Sequence, residues 1–165
     1  MVHEGEPAAP MVSIDGRKHA PWLTAVAVIA LAMSSLFIGY EPSVGDPSCL
    51  YRPIKTELAA ALAKGTLPFW SDHFGLGTPL AAESHAAAFY PPNWVCYRLL
   101  SVSAASRLMM WLHYVAIAAA TFAYARVLGI SPWGAALSAI SFTLCGFQAS
   151  HAGHEPFYHA LNSFA

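Results

Sequence analysis

The sequence predicts an all-α, polytopic integral membrane protein. Of its 165 residues, 56% are hydrophobic and 10% are charged, whereas about a quarter of the residues of a soluble domain are charged. Three long intervals contain no Asp, Glu, Lys or Arg, and a helix needs only ~20 apolar residues to cross a bilayer. The net charge of −1 leaves no basic surplus for binding nucleic acid phosphates. The composition therefore excludes a disordered chain and argues against an ordinary soluble domain, and the charge removes nucleic acid as a default partner.

The first predicted spanning helix covers residues 22–40, a run of nineteen residues without a charge. Trp22 and Tyr40 stand at its ends, where aromatic side chains anchor helices at the lipid headgroups. A signal peptide is the competing interpretation, because residues 43–45 could form a cleavage site. The apolar stretch is longer than the roughly 7–15 residues of a signal-peptide core, so we favour an uncleaved anchor.

Two further spanning helices are predicted in the C-terminal half. The second covers about residues 106–125 and is uncharged from position 108 onward. The third covers about residues 132–150, and Pro132 suits its first turn because proline is tolerated at a helix start. Its apolar part is short, so this helix can span a bilayer only if it extends through Gln148.

Positively charged residues orient these helices. Arg17 and Lys18 precede the first helix and Arg126 follows the second, so the positive-inside rule places all three on the cytoplasmic side. Residues 1–19, with their Glu, Pro and Gly, are then a disordered cytoplasmic tail. Residues 41–100 form a large extracytoplasmic loop. The sequence thus predicts a multi-pass protein with a cytoplasmic N-terminus.

Residues 54–64 of the loop show helical periodicity. Gly65 follows them, where a helix end favours a left-handed residue. We interpret this segment as an amphipathic helix lying on the membrane surface. The pattern equally suits a helix whose apolar face packs on the protein itself. The apolar positions are Ile54, Leu58, Ala61 and Leu62, and the polar positions are Lys55, Glu57 and Lys64.

The rest of the loop is rich in aromatic residues, Gly and Pro, which indicate turns at about the depth of the lipid headgroups. Four motifs follow one another there: an Asp-to-Pro segment, then KGTLPFW, FGLGTPL and YPPNW. Together with the apolar stretches that follow, they resemble the N-terminal part of the bacterial YfhO family of polytopic membrane proteins, over about residues 45–165. The matching positions are Asp46, Pro53, Gly65, Leu67, Pro68, Trp70, Gly77, Pro79, Leu80, Tyr90, Pro91 and Asn93.

This resemblance implies a GT-C-like glycosyltransferase of the bacterial cytoplasmic membrane. Such an enzyme moves a sugar from a polyprenyl-phosphate donor to an envelope glycopolymer or lipid acceptor on the extracytoplasmic face. Proteins of this kind have many spanning helices, so we expect the chain to be an N-terminal fragment or a truncated gene product. A transporter, a lipid-handling protein or a non-catalytic truncated membrane subunit are the alternatives, because polar helix ends and a broken amphipathic loop suit them too.

Asp46 is the candidate catalytic base. Sugar transfer needs a carboxylate to take the proton of the acceptor hydroxyl, and positive charge to stabilise the leaving phosphate. The resemblance implies that the catalytic carboxylate lies in the first outer loop, and Asp46 opens that loop. Without the resemblance, a structural turn before Pro47 would be the better interpretation. Arg52 and Lys55 are candidates for binding the donor phosphate, or for snorkelling to the headgroups.

His and carboxylate residues form the candidate metal site. His154 and Glu155, with Asp72, Glu83 and His85 in the loop, could bind a divalent cation such as Mg²⁺ or Mn²⁺. The simpler interpretation of these residues is a polar helix end that is hydrated at the membrane interface, and we favour it.

His113 lies inside the second predicted helix, where an ionisable side chain is costly and often functional. A haem axial ligand and a neutral imidazole bonded to a neighbouring helix are the two interpretations. We favour the neutral imidazole, because hydrogen bonds between helices are common in membrane bundles.

Overall fold

The computed structural model describes residues 16–38 and 47–150. Within these ranges the chain is mostly helical and contains no strands, so the all-α prediction is confirmed for them. A π-helical turn, Pro47–Tyr51, leads into the third helix, and a 3₁₀ turn, Leu80–Ala82, lies in the loop after it. The helices are α1 Gly16–Ala32, α2 Ser34–Phe37, α3 Arg52–Ala63, α4 Pro91–Leu99, α5 Val102–Val127, α6 Pro132–Thr143 and α7 Gly146–Ser150.

Helix α5 is the one helix in the described ranges that is long and apolar enough to cross a membrane. It contains the predicted second span and has 26 residues, which corresponds to about 39 Å. The protein buries only 33% of its most apolar 18-residue window. The other residues of this window are partly or wholly exposed within the part of the chain that the structure describes. The prediction of three spanning helices is not confirmed.

The first predicted span, 22–40, differs from the observed helix. Helix α1 begins at Gly16, so four residues that we assigned to the disordered tail are helical. It ends at Ala32, and Met33 separates it from α2. Its apolar part, His19–Ala32, is shorter than a bilayer span. Positions 39 and 40 of the prediction lie outside the described residues.

The third predicted span, 132–150, is interrupted. Helix α6 begins at Pro132 as predicted, and the Oγ of Ser131 accepts a hydrogen bond from the N–H of Gly134 at 3.2 Å. It ends after twelve residues, at Thr143, which is about 18 Å of helix. Helix α7 begins only at Gly146. The continuous helix that the prediction required is not formed.

Helices α1, α5 and α6 pack against one another as a bundle. Ile29 of α1 is buried with Ala118 of α5 and Ala139 of α6. The rings of Trp22 and Phe122 meet edge to face at 5.5 Å between centroids. Alanine at the contact lets the helix backbones approach closely, as small residues do in membrane bundles.

Residues 47–101 form a second unit on the N-terminal end of α5, which we call the lobe. Its core joins α3, α4 and the loop between them to the first turns of α5. The predicted loop is therefore a folded unit in its described part, and the predicted turns at 91–94 belong to helix α4. The buried core residues are Ile54, Leu58, Leu62, Leu80, Ala86, Ala88, Cys96, Tyr97, Ala105 and Met109.

Helix α3 buries its apolar face in the lobe. Ile54 and Leu58 are 3% and 0% exposed and pack against Leu80 and the α5 residues of the core. Lys55, which the sequence pattern places on the polar face, is also buried. These contacts correct the prediction of a surface-lying membrane helix at 54–64, and they match the alternative of a helix packed on the protein.

Leu58→Ala should lower the free energy of unfolding by about 2–5 kcal/mol, because it opens a cavity in the lobe core. Thermal unfolding of the protein purified in detergent measures this change. Leu76→Ala is the matched control, since Leu76 is fully exposed and its truncation should change stability by less than about 0.5 kcal/mol. Equal losses in the two variants would contradict the packing described for α3.

Candidate functional site

Side chains of the loop after α3 meet the residue that precedes this helix, in a group that we call the entry cluster: Tyr51, Glu83 and His85. The ring of Tyr51 stacks on the imidazole of His85, with 5.4 Å between centroids. That imidazole contacts the carboxylate of Glu83 through Nδ1. Two residues predicted from sequence as site candidates, Glu83 and His85, therefore lie together, and Lys55 contacts the next residue of the loop, Ala86.

The start of α3 sets the position of this cluster. Pro53 occupies the first turn of α3, where its missing N–H costs nothing because that group would have no helical partner. One residue earlier, Arg52 extends toward α5, and its Nη2 donates a hydrogen bond to the Oγ of Ser103 at 2.8 Å. The Arg52 side chain is exposed. A guanidinium has five N–H donors in a planar fork, the geometry that suits phosphate oxygens.

Lys55 is not placed to bind a donor phosphate, which corrects the prediction for this residue. Its side chain is 1% exposed, and its Nζ donates to the carbonyl oxygen of Ala86 at 3.2 Å. The same Nζ lies 5.2 Å from the ring centroid of Tyr97, which is a cation–π distance. Tyr97 in turn shares a hydrogen bond with Ser106 of α5, 3.0 Å between the oxygens. Lys55 therefore holds the loop that contains Ala86 against α3.

Glu83 is held in its ionised form. The imidazole of His85, and then the backbone N–H of His85 at 3.3 Å, donate to this carboxylate and lower its pKa below the usual value. The carboxylate thus already has a partner two residues along the chain. Its pairing with His85 provides two of the ligand types that a metal site needs.

The predicted metal site is not assembled in the part of the chain that the structure describes. No group of three or more His, Cys, Asp or Glu residues lies together there. Asp72 is away from Glu83 and His85, in a short hairpin closed by two backbone hydrogen bonds between Ser71 and Thr78. His154 and Glu155 lie outside the described residues, so their part of the prediction stays untested.

Asp72 and several motif residues shape the hairpin. The indole N–H of Trp70 donates to Oδ1 of Asp72 at 2.8 Å. Gly77 has a φ of +102°, and a Cβ there would lie 2.4 Å from the Trp70 ring. Only glycine allows both the backbone conformation and the close approach. The packing of the hairpin therefore explains why Trp70 and Gly77 occupy their two motif positions.

Asn93 has a similar structural role in the YPPNW motif. Its side chain is 0% exposed, and its Nδ2 donates to the carbonyl oxygen of Ala87 at 3.0 Å. Ala87 has a φ of +46°, which is uncommon for a residue with a Cβ. The buried amide therefore holds an unusual turn in place. The motif residues Trp70, Gly77 and Asn93 therefore have structural roles in the lobe.

His113 joins the lobe to the bundle. Its Nδ1 lies 2.6 Å from the carbonyl oxygen of Met109, and its Nε2 lies 3.2 Å from the hydroxyl of Tyr90. A carbonyl can only accept, so Nδ1 carries a proton. The partner of Nε2 lies in the loop before α4 and not in a neighbouring helix, and the neutral state of the imidazole stays a prediction. Both nitrogens are engaged, which does not suit a haem ligand.

Two features of this junction were not predicted as functional from the sequence. Burial raises the pKa of Tyr90, so its hydroxyl keeps its proton. Gln148 is 0% exposed, and neither of its side-chain amide atoms has a partner within the described ranges. The hydroxyl of Tyr114 donates to the carbonyl oxygen of Gln148 at 3.1 Å. The motif contained Tyr90, but no sequence signal marked Gln148.

Asp46, the predicted base, lies outside the described residues, directly before Pro47 in the sequence. Comparison of the chain with known protein families, curated proteins and solved structures finds no match. The resemblance to the YfhO pattern therefore stays a prediction that rests on the motif residues.

Proposed function

We propose that this protein is a GT-C-like glycosyltransferase of the bacterial cytoplasmic membrane, similar to the YfhO family. It transfers a sugar from a polyprenyl-phosphate donor to an envelope glycopolymer or lipid acceptor on the extracytoplasmic face. The observation that carries the proposal is the exposed position of Arg52 at the start of α3. An exposed guanidinium at the start of α3 stands six residues after Asp46 in the chain, so the two groups that the reaction needs belong to one short segment.

In the proposed reaction, Asp46 takes the proton from the acceptor hydroxyl. The acceptor oxygen then bonds to the anomeric carbon as the bond from that carbon to the phosphate oxygen breaks, which inverts the configuration. The polyprenyl phosphate leaves with the electron pair, and Arg52 stabilises its charge through charge-assisted hydrogen bonds. Lys55 acts as a positioning residue, because its buried ammonium joins α3 to the loop that carries Glu83 and His85.

The membrane arrangement is part of the same proposal. Helix α5 crosses the bilayer with the lobe at its extracytoplasmic end and Arg126 at its cytoplasmic end, the orientation predicted from Arg17, Lys18 and Arg126 in the sequence. Helices α1 and α6 pack against α5 and lie beside this span. A lipid-linked donor presents its headgroup at the membrane surface, so a lobe built on the outer end of α5 is suitably placed to meet it.

Membranes containing the protein should transfer labelled sugar from a polyprenyl-phosphate donor, and Arg52→Ala should raise the KM for the donor by about 10–100-fold. This is the expected cost of losing a hydrogen bond to a charged group, about 1.5–3 kcal/mol. Donors with different sugars are tested in turn, in membranes with and without the protein. Lys64→Ala is the matched control, because Lys64 is an exposed cation at the other end of α3.

Ser103→Ala separates phosphate binding from a structural role of Arg52. It removes the Arg52 hydrogen bond to Ser103 but keeps the guanidinium, so the KM should stay close to that of the unmodified protein. An equal rise in KM in both variants would show that Arg52 acts through the fold. Membranes that transfer none of the sugars would contradict the enzyme proposal and leave the lipid-handling or structural alternatives.

A further inference from the structure

Helix α4 exposes an apolar face. Trp94, Val95 and Leu99 are 42%, 60% and 73% exposed, and at about 100° per residue they share one side of the helix. The opposite side carries Asn93, Cys96 and Tyr97, which are buried against the lobe. This is the reverse of a helix on the surface of a soluble protein, which turns its polar side outward.

The same face has a charge at one end and a fixed indole. Arg98, in the last turn of α4, is exposed between Trp94 and Leu99. The indole N–H of Trp94 donates to the carbonyl oxygen of Ala88 at 2.7 Å, so the ring is held in one orientation while part of its surface stays uncovered. Trp and Arg with aliphatic side chains are the composition of helices that lie at the headgroup level of a bilayer.

The position of α4 in the chain limits what can cover this face. Helix α4 ends at Leu99 and α5 begins at Val102, so the two helices are joined by about 7–10 Å of chain. Exposed apolar residues continue from α4 through this link and onto α5. Leu100 in the link is 41% exposed, and Leu108 and Leu112 on α5 are 37% and 39% exposed. If the bilayer covers α5, the adjoining face of α4 lies at the surface of the same bilayer.

We propose that the exposed face of α4 lies in the boundary between headgroups and acyl chains of the phospholipid leaflet beside the lobe. The inference rests on the proposed membrane span of α5. Trp94, Val95 and Leu99 enter the apolar side of the boundary, and Arg98 binds lipid phosphates. Helix α4 thus takes the interfacial role that the sequence pattern had suggested for α3. It fixes the height of the lobe, and hence of the entry cluster, above the bilayer.

Three labelled positions test this inference in proteoliposomes of phosphatidylcholine and phosphatidylglycerol. The background replaces Cys49 and Cys145 by serine and keeps the buried Cys96, whose lack of labelling is checked first. An environment-sensitive fluorophore is attached to Val95→Cys on α4, to Ala60→Cys on the exposed side of α3, and to Ala116→Cys in the middle of α5. Quenchers are iodide in water and lipids with a spin label near the headgroup or deep in the acyl chain.

The expected result is that shallow spin-labelled lipid removes most of the emission at position 95, and that iodide quenches it several-fold less than at position 60. Deep spin-labelled lipid should quench position 116. If iodide reaches positions 95 and 60 equally while position 116 is quenched by lipid, the inference for α4 is overturned and the span of α5 stands. If no lipid quenches position 116, the span itself is wrong.

A protein occupant gives a different result. If position 95 is protected from iodide but no spin-labelled lipid quenches it, protein covers the face of α4 and the lipid proposal is overturned. Crosslinking through the cysteine at position 95 then identifies whether a second copy of the chain is the occupant.

Discussion

Asparagine in place of Asp46 should lower sugar transfer by about 10²–10⁴-fold, with an unchanged amount of protein in the membrane. Asparagine keeps the size of the side chain but cannot accept the proton of the acceptor hydroxyl. The initial rate with saturating donor measures the loss, because a missing base lowers kcat more than it changes donor binding. The KM for the donor should stay within about threefold of the original value.

The matched control is Glu57→Gln, the same chemical change at a carboxylate outside the proposed reaction. Glu57 contacts the exposed His73, with 3.0 Å between Oε1 and Nδ1. Its replacement should leave the rate unchanged. Full activity in Asp46→Asn would remove Asp46 from the role of base. A fall in melting temperature together with the rate would favour the structural turn before Pro47 instead.

Aspartate in place of Asn93 should destabilise the lobe by about 3–5 kcal/mol at neutral pH, the cost of an uncompensated buried charge. Asn93 is completely buried, and its amide donates to the carbonyl oxygen of Ala87. A carboxylate at position 93 would place an oxygen that accepts hydrogen bonds against the carbonyl oxygen of Ala87, which is also an acceptor. Thermal unfolding at several pH values measures the effect.

The pH dependence of this variant has a definite sign. Burial raises the pKa of the new carboxyl above its unfolded value of about 3.9. The folded form therefore binds the proton more tightly, and stability falls as the pH rises from the unfolded pKa through the folded one. Ala60→Asp, at an exposed site, should cost less than about 1 kcal/mol. An Asn93→Asp variant as stable as the original at pH 7 would contradict the contacts assigned to Asn93.

Local patterns predicted several elements correctly. The spacing of Ile54, Leu58 and Leu62 indicated α3, and Gly65, with a φ of +73°, follows its end as expected. Pro132 begins α6. These features depend on residues within a few positions of one another, where helical periodicity and backbone preference are decisive.

Features that depend on distant residues were not predictable. Lys55 follows the polar pattern of α3, yet the carbonyl of Ala86 and the ring of Tyr97 enclose its ammonium. The breaks at Met33 and after Thr143 divide uncharged stretches into shorter helices, because the length of an apolar run limits a helix but does not fix its ends. The exposed face of α4 was missed because the proline pair before Asn93 suggested turns.

The candidate site also contains some residues that local sequence could predict and some contacts that depend on the fold. Glu83 and His85 are two residues apart and were both named from sequence, whereas their stacking on Tyr51 depends on the fold. Arg52 and Ser103 are 51 positions apart, and Tyr90 and His113 are 23 apart. No periodicity links such pairs, so only packing brings them together.

The most direct test of the central claim is the topology of α5 in intact bacterial cells. A membrane-impermeant maleimide is applied to Ala60→Cys in the lobe and to Leu128→Cys just after α5, both in the background without Cys49 and Cys145. We predict that position 60 is labelled in intact cells and that position 128 is labelled only after the membrane is permeabilised. Equal labelling of both positions in intact cells, or a chain that stays in the soluble fraction after lysis, would contradict the account.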